Sequence, residues 1–486
     1  MVGAIRIVGA VAMLSLVGCR PSSAPDESRT RLIVGTSGEV TAPSPSVKGG
    51  LGATVLDLVF RPLLRGIDGS SAVAELAQSF SWSADGAELR LQLRAGVRFS
   101  DGSPVTADDV VDTLSRAKAD GAWGTEELLV VGAVGPQAVS VRPSRPFLIP
   151  GVLATVGPAR RGSSPPVGAG PYLVTNVDPN RLTLSSNPSF DGRPPAVGTI
   201  EFRRSASPSD EWSSLLAGKV DLITFVPWNK FDQLSSVPSI RTQSTLSSVL
   251  AEFLFISPPP PFDQATARHA LALAIDRAEL VRTALHGQGL EASGVVWPRS
   301  DSYDAQLEPY QNDPAQARRL LESIGCTTDA HGGLHFGGAP LRIEVDYSDA
   351  VPGFEALALL IQRQLSGVGI DVRYHLLSNL EMRARILGRG PAILMRPRHA
   401  TSDLLSDDEL RRLPTLPRGD LSTVEAVAEA SRLAQRRLRD EAPAIYLVWL
   451  NRLDVIDRRF CGLPSLPDGP EGRLDLVHAC APGEDR

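Results

Sequence analysis

The stretch "LRAGVRFSDGSPVTADDVVDTLSRA", residues 93–117, is the most locally ordered part of the chain. Leu89, Leu91 and Leu93 alternate with Arg90, Gln92 and Arg94, the period of two expected of a half-buried strand. Asp101-Gly102 is a turn pair in which glycine takes a positive φ at little cost. Thr106 can cap a helix, and Asp109 three residues on completes a capping box. Asp108 and Asp109 suit the positive end of that helix, and Val110, Val111 and Leu114 form its apolar stripe. The segment holds no nucleophile, base or metal set, so it reads as a folding unit.

Around it lie 486 residues, enough for two or three domains. The hydrophobic fraction of 42% can build large cores, and a net charge of −6 offers no basic face for nucleic acid. At the N-terminus, Arg6 precedes an apolar run from Ile7 to Val17 that ends in "LVGC", Leu16–Cys19. The run has the size of a signal-peptide core and is short for a bilayer span. Small and apolar residues directly before a cysteine resemble a bacterial lipobox, which implies lipidation of Cys19. Residues 20–30, "RPSSAPDESRT", then read as a flexible tether. The other reading is an ordinary secretory signal that happens to contain a cysteine. Export leaves Cys326, Cys461 and Cys480 in an oxidising compartment. Cys461 and Cys480 share one irregular C-terminal stretch and could form a staple, or all three could remain thiols.

Strand and helix signals mix along the chain and predict an α/β fold with at least two sheets. "VLDLVFRPLLRGID" (55–68) reads as a helix, "SPSDEWSSLLAG" (207–218) as a helix opened by Ser207-Pro208, and "VDLITFV" (220–226) as a strand. "EFLFIS" (252–257) reads as a strand running into the stiff Pro258–Pro261. Residues 420–443 read as a long helix and "AIYLVWL" (444–450) as a last apolar strand.

Motifs for chemistry are scarce. No G-x-S-x-G, G-x-x-x-x-G-K-[ST] or H-E-x-x-H occurs. His331 and His335 flank two glycines and read as a surface turn, and Asp407, Asp408 and Glu409 as a solvated helix start. No catalytic residue, metal site or cofactor is expected.

The opening stretch resembles the signature of the bacterial extracellular solute-binding proteins of family 5, the peptide and nickel type of ABC-transporter binding proteins. "AELAQSFSWSADGAELRLQLR" (74–94), "VGAGPYLVTNVDPNRLTLSSNPSFDG" (167–192), "PPPFDQATARHALALAIDRAELV" (259–281), "NDPAQARRLLESIG" (312–325) and "EAPAIYLVW" (441–449) resemble further family landmarks in the right order. The resemblance implies a periplasmic-binding-protein-like fold (type II, cluster C) with two large hinged lobes and a smaller inserted one. Lobe I would comprise 31–60, 166–258 and 441–486, lobe II 61–165 and lobe III 259–440. The hinge would lie near 258–260 and 440, with the solute between lobes I and III. Two departures stand out. Arg61 replaces an acid, and the segment after "AILMRPR" (392–398) is short, leaving Asp403 as the nearest acid for a ligand amine.

Loops at strand ends supply the candidate ligand residues. They are Thr36, Ser37 and Glu39 after the first strand, Trp228 and Asn229 in "TFVPWNKF", and Arg396, Arg398 and Asp403 in lobe III. Tryptophan offers a broad apolar platform with one donor, and arginine can pair a carboxylate or phosphate bidentately. The expected function is that of a monomeric, lipid-anchored, non-enzymatic carrier. It would pass a peptide-like or other small polar solute to an ABC permease at the cell envelope. The alternative is a family member without transport, serving as a surface scaffold, sensor or adhesion lipoprotein.

Overall fold

Two strands far longer than the sequence suggested organise the molecule. Ile240–Ile256 has 17 residues and Ala444–Asp457 has 14, and they pair antiparallel along most of their length. The structure, a computed structural model, describes residues 30–45, 51–65, 72–399 except 123, 126, 145, 148, 301, 349, 350, 352 and 389, then 424–466, 470–481 and 483–484. Cys19, Asp403 and Asp407–Glu409 lie outside the described residues.

The two long strands are the centre of one sheet. On one side it continues through Leu222–Ile223, Arg31–Thr36, Thr199–Arg204, Arg181–Ser186 and Tyr172–Asp178. On the other it continues through Ala392–His399, Arg342–Ser348 and Asp371–Leu377, with Gly289–Glu291 added to the second long strand. The fold is α/β, with two large lobes that share this sheet and a smaller inserted lobe. The ladder between the long strands shifts register twice, by one residue between Ala251 and Glu252 and, at the wider break, from Leu246 opposite Asn451 to Leu250 opposite Trp449. Ser247–Val249 thus face a single residue, Leu450. Ser247 Oγ donates to the Leu450 carbonyl at 2.6 Å and accepts from the Val249 N–H at 3.2 Å, so the break is itself hydrogen-bonded.

The inserted lobe is built around the opening motif. Leu89–Leu93 lies inside a four-stranded antiparallel sheet with Leu89, Leu91 and Leu93 buried and Arg90 and Gln92 exposed. Helix Ala107–Ala119 starts at Thr106 with the reciprocal capping box, and Val110 and Leu114 are buried while Val111 is half-buried. Gly102 sits at φ +84, as the turn requires. Helix and strand close one apolar core running from Leu63 to Ala169. Where the chain returns at "VGAGPY", Gly168 and Gly170 pass against the backbone of Leu58–Phe60. A Cβ would fall 2.1 Å from the Val59 oxygen at Gly168 and 2.4 Å from the Leu58 oxygen at Gly170. Arg61 stands at this junction, buried. Its Nε donates to Glu75 at 3.0 Å and its Nη1 to Asp191 at 2.6 Å, joining the inserted lobe to the one beside it.

Some elements differ from expectation. Among the described residues of 55–68 only Leu56–Val59 is helical, because Pro62 cannot continue a helix and the chain turns into Leu64–Arg65. Within 220–226 only Leu222–Ile223 is strand, since Phe225 turns out of it at φ +64. The C-terminal staple is present, with Cys461 and Cys480 joined by a disulfide and Cys326 a buried free thiol. His331 lies in the turn between Thr327–Thr328 and Leu334–Phe336, whereas His335, expected in that turn, is in the second strand opposite Thr327. Among the described residues no helix is long and apolar enough to cross a membrane.

Candidate functional site

Strand direction locates the site. Arg31–Thr36, Thr199–Arg204 and Leu222–Ile223 are parallel and run toward the ladder break, because Val34, Leu222 and Ile456 share one register row and Gly35, Ile223 and Val455 the next. On the far side Ala392–His399 also runs toward the break, from Ala392 opposite Ile256 to His399 opposite Val249. Arg342–Ser348 and Asp371–Leu377 are parallel to it. The carboxyl ends of two sets of strands therefore face each other across the break, the place where α/β sheets usually bind ligands.

From the first set come Thr36, half-buried, and Ser37 and Glu39, both exposed. The Thr36 hydroxyl accepts from the Gly38 N–H at 3.1 Å and shapes the turn. Beneath that turn lies a residue the sequence reading missed. Glu211, 7% exposed, sits in the first turn of helix Pro208–Leu216, whose Ser207 cap accepts from the Asp210 N–H. The Glu211 carboxyl accepts from the Ser37 side chain and backbone, and burial pushes its pKa up to about 7 against those bonds. Gly35 packs closely against it, since a Cβ there would fall 3.1 Å from Glu211 Cγ. The available signal was an acid next to a helix cap in "SPSDEW".

Trp228 and Asn229 diverge. Asn229 is exposed, whereas Trp228 is buried with its Nε1–H donating to the Asn451 carbonyl at 2.7 Å. Its one polar group is thus committed to a crossing strand at the break. Nearby, the Phe225 N–H donates to Asp454 Oδ1 at 3.2 Å, and the Arg452 guanidinium lies 5.5 Å from the Phe225 ring centre. Arg452 also pairs with Asp454 and Glu471, all three buried. Burial lifts the Asp454 pKa to about 6, against the pull of Arg452.

In the far lobe, Arg396 and Arg398 share a sheet face with Glu252, which is fully buried. Arg396 places Nε 2.9 Å and Nη2 2.8 Å from Glu252 Oε1, and Arg398 Nη1 is 3.9 Å from Oε2. Both arginines retain partial exposure. Glu252 was absent from the sequence reading, although a lone acid in "VLAEFLF" was a visible signal. Trp297, also missed, donates Nε1–H to the Ser247 carbonyl at 3.1 Å on the first crossing strand. Among the described residues no group of three or more His, Cys, Asp or Glu could hold a metal ion.

Residues 71–396 match the profile of the bacterial extracellular solute-binding proteins, family 5 Middle. The chain is 26% identical over 341 residues to the nickel-binding periplasmic protein of Escherichia coli K12, covering 65% of each. It is 26% identical over 338 residues to the glutathione-binding protein of the same strain, covering 65% of this chain and 63% of the relative. The chain thus spans somewhat less than two thirds of these relatives' length. In structure it resembles NikA from Brucella suis in complex with Fe(III)-EDTA, with a TM-score of 0.79, 20% identity and coverage of 93% and 100%. It also resembles the oligopeptide-binding protein AppA from Bacillus subtilis in complex with a nonapeptide, with a TM-score of 0.74, 16% identity and coverage of 93% and 99%.

Proposed function

Because the chain belongs to the bacterial extracellular solute-binding proteins of family 5, we propose that it is the non-catalytic, monomeric solute carrier of an ABC importer, closing two lobes around a small polar solute and delivering it to a membrane permease. The observation that carries this reading is the convergence of strand carboxyl ends from two lobes on one hydrogen-bonded break in a shared sheet. Such a break can absorb backbone rotation. We place the hinge at Ser247–Val249 and Leu450, inside the long strands. Lobe I then ends near 246 and resumes near 451, in place of the limits at 258 and 440 expected from the sequence. Lobe II remains the insert.

The solute class follows from the charged patch. The partly exposed guanidinium groups of Arg396 and Arg398 can pair bidentately with an acidic group, which favours a ligand that carries a carboxylate. Thr36, Ser37, Glu39 and Asn229 are the polar groups that would meet it from lobe I, and Asp403 remains the acid that the family resemblance suggests for an amine. Short peptides and peptide-like acids meet that description.

Mass spectrometry of solute released from the purified protein tests the reading. The expected result is an acidic or peptide-like molecule at near-equal stoichiometry, whose return shrinks the protein in X-ray scattering. A protein whose dimensions stay fixed with peptides, their acidic analogues and nickel chelates would favour the scaffold or sensor alternative. We also propose attachment to the membrane through lipidated Cys19. Replacing Cys19 with serine should release the protein from the membrane fraction, and equal retention of both forms would refute the anchor.

A further inference from the structure

Trp228 belongs by chain and by strand to lobe I, on the loop after Leu222–Ile223. Gly353 belongs to lobe III, where it precedes helix Phe354–Gly367 at φ +86. The two nevertheless meet. A Cβ built on Gly353 would fall 2.9 Å from Trp228 Cε3 and 3.1 Å from Cζ3, so the six-membered ring rests on bare backbone. Trp228 is 4% exposed and belongs to an apolar core that also holds Val226 and Leu234 of lobe I and Val351 and Phe354 of lobe III. Its indole N–H is tied to Asn451, one residue from Leu450 at the ladder break.

We propose that Trp228 seated on Gly353 is an interlobe latch that sets how far the carrier is closed before any solute arrives. This rests on the carrier reading and adds a resting equilibrium to it. The indole is fixed to a crossing strand, so separating the lobes on this side must peel the ring off Gly353 or break its bond to Asn451. Only glycine permits the seat, because any side chain would enter the ring. The latch leaves Thr36, Ser37 and Glu39 of lobe I and the arginine patch of lobe III as the open part of the cleft. It also alters affinity without touching solute, since apparent affinity scales with the fraction of protein already able to bind.

The test is a double-mutant cycle read by X-ray scattering of the solute-free full chain, against about 23 Å expected for the radius of gyration of a compact chain this long. Gly353→Ala puts a methyl group into the ring and should raise the radius above wild type. Trp228→Leu removes the ring and should also raise it. With the ring gone the added methyl has nothing to push against, so Gly353→Ala/Trp228→Leu should match Trp228→Leu alone. An additive double variant would show two unrelated local disturbances, the strain of alanine at φ +86 among them, and would overturn the latch. Should Gly353→Ala fail to fold, Trp228→Leu decides by itself, and a wild-type radius refutes the proposal. A wild type that shrinks with solute, beside variants that all keep its solute-free radius, would remove the latch and leave the carrier reading intact.

Discussion

Replacing Arg396 with leucine should cost fold stability, beyond any effect on affinity. Arg396 holds Glu252 Oε1 through two nitrogens at 2.9 and 2.8 Å, and Glu252 is 0% exposed. Removing one partner of a buried ion pair typically costs about 3–5 kcal/mol, because the other charge stays buried and uncompensated. Arg398, 3.9 Å from the second carboxylate oxygen, still offsets part of that charge. The lower end therefore applies, about 3 kcal/mol, or roughly two orders of magnitude in the folded-to-unfolded ratio. The double variant Arg396→Leu/Glu252→Leu leaves no buried acid unpaired, the Arg398 side chain being partly exposed, and should return to within about 1 kcal/mol of wild type. Urea denaturation followed by tryptophan fluorescence measures all three proteins. A single variant losing less than about 1 kcal/mol, the range of an exposed pair, would show that the arginine is not the buried acid's counter-ion. A double variant as unstable as the single one would refute the charge argument in favour of lost packing.

Two further outcomes follow from the described geometry. The Cys461–Cys480 disulfide closes a loop with a sequence separation of 19, so replacing both cysteines with serine should cost about 3 kcal/mol by loop entropy; unchanged thermal stability on reduction of the intact protein would contradict this. Burial raises the Glu211 pKa from its ordinary 4.5 to about 7. Its stabilising contribution is therefore full below its unfolded-state value and lost as pH rises through about 7. Glu211→Gln, which stays neutral, should gain on wild type by something on the order of 3 kcal/mol between about pH 5 and 8, and parallel pH profiles for the two proteins would rule the shift out.

The sequence alone determined what local physics can determine. Strand, turn and capped helix at 89–119 are legible because alternation, a turn glycine and a capping box each act within a few residues. The α/β class was legible from the mixture of strand and helix signals, whereas the two-lobed fold was implied by the resemblance of that motif and its companions to family landmarks in the right order. The two candidate cysteines were visible, while their pairing was left open. Tertiary structure decided the rest, chiefly where polar residues are buried. The apolar runs alone delimit strands from Glu252 and up to Leu450, which leaves out Ser244, Thr245, Ser247, Asn451, Arg452 and Asp454. In the folded protein they remain in the ladder or at its break because their partners come from elsewhere. Asn451 donates to Ser244 and receives Trp228, Ser247 bridges to Leu450 and receives Trp297, and Arg452 lies between Asp454 and Glu471. Glu252 and Glu211 escaped notice likewise, since Arg396 and Ser37 are 144 and 174 positions away in the chain. Burial of a polar group is tolerable only once its partner is in place, and a pairing made across such separations leaves no periodicity in either segment.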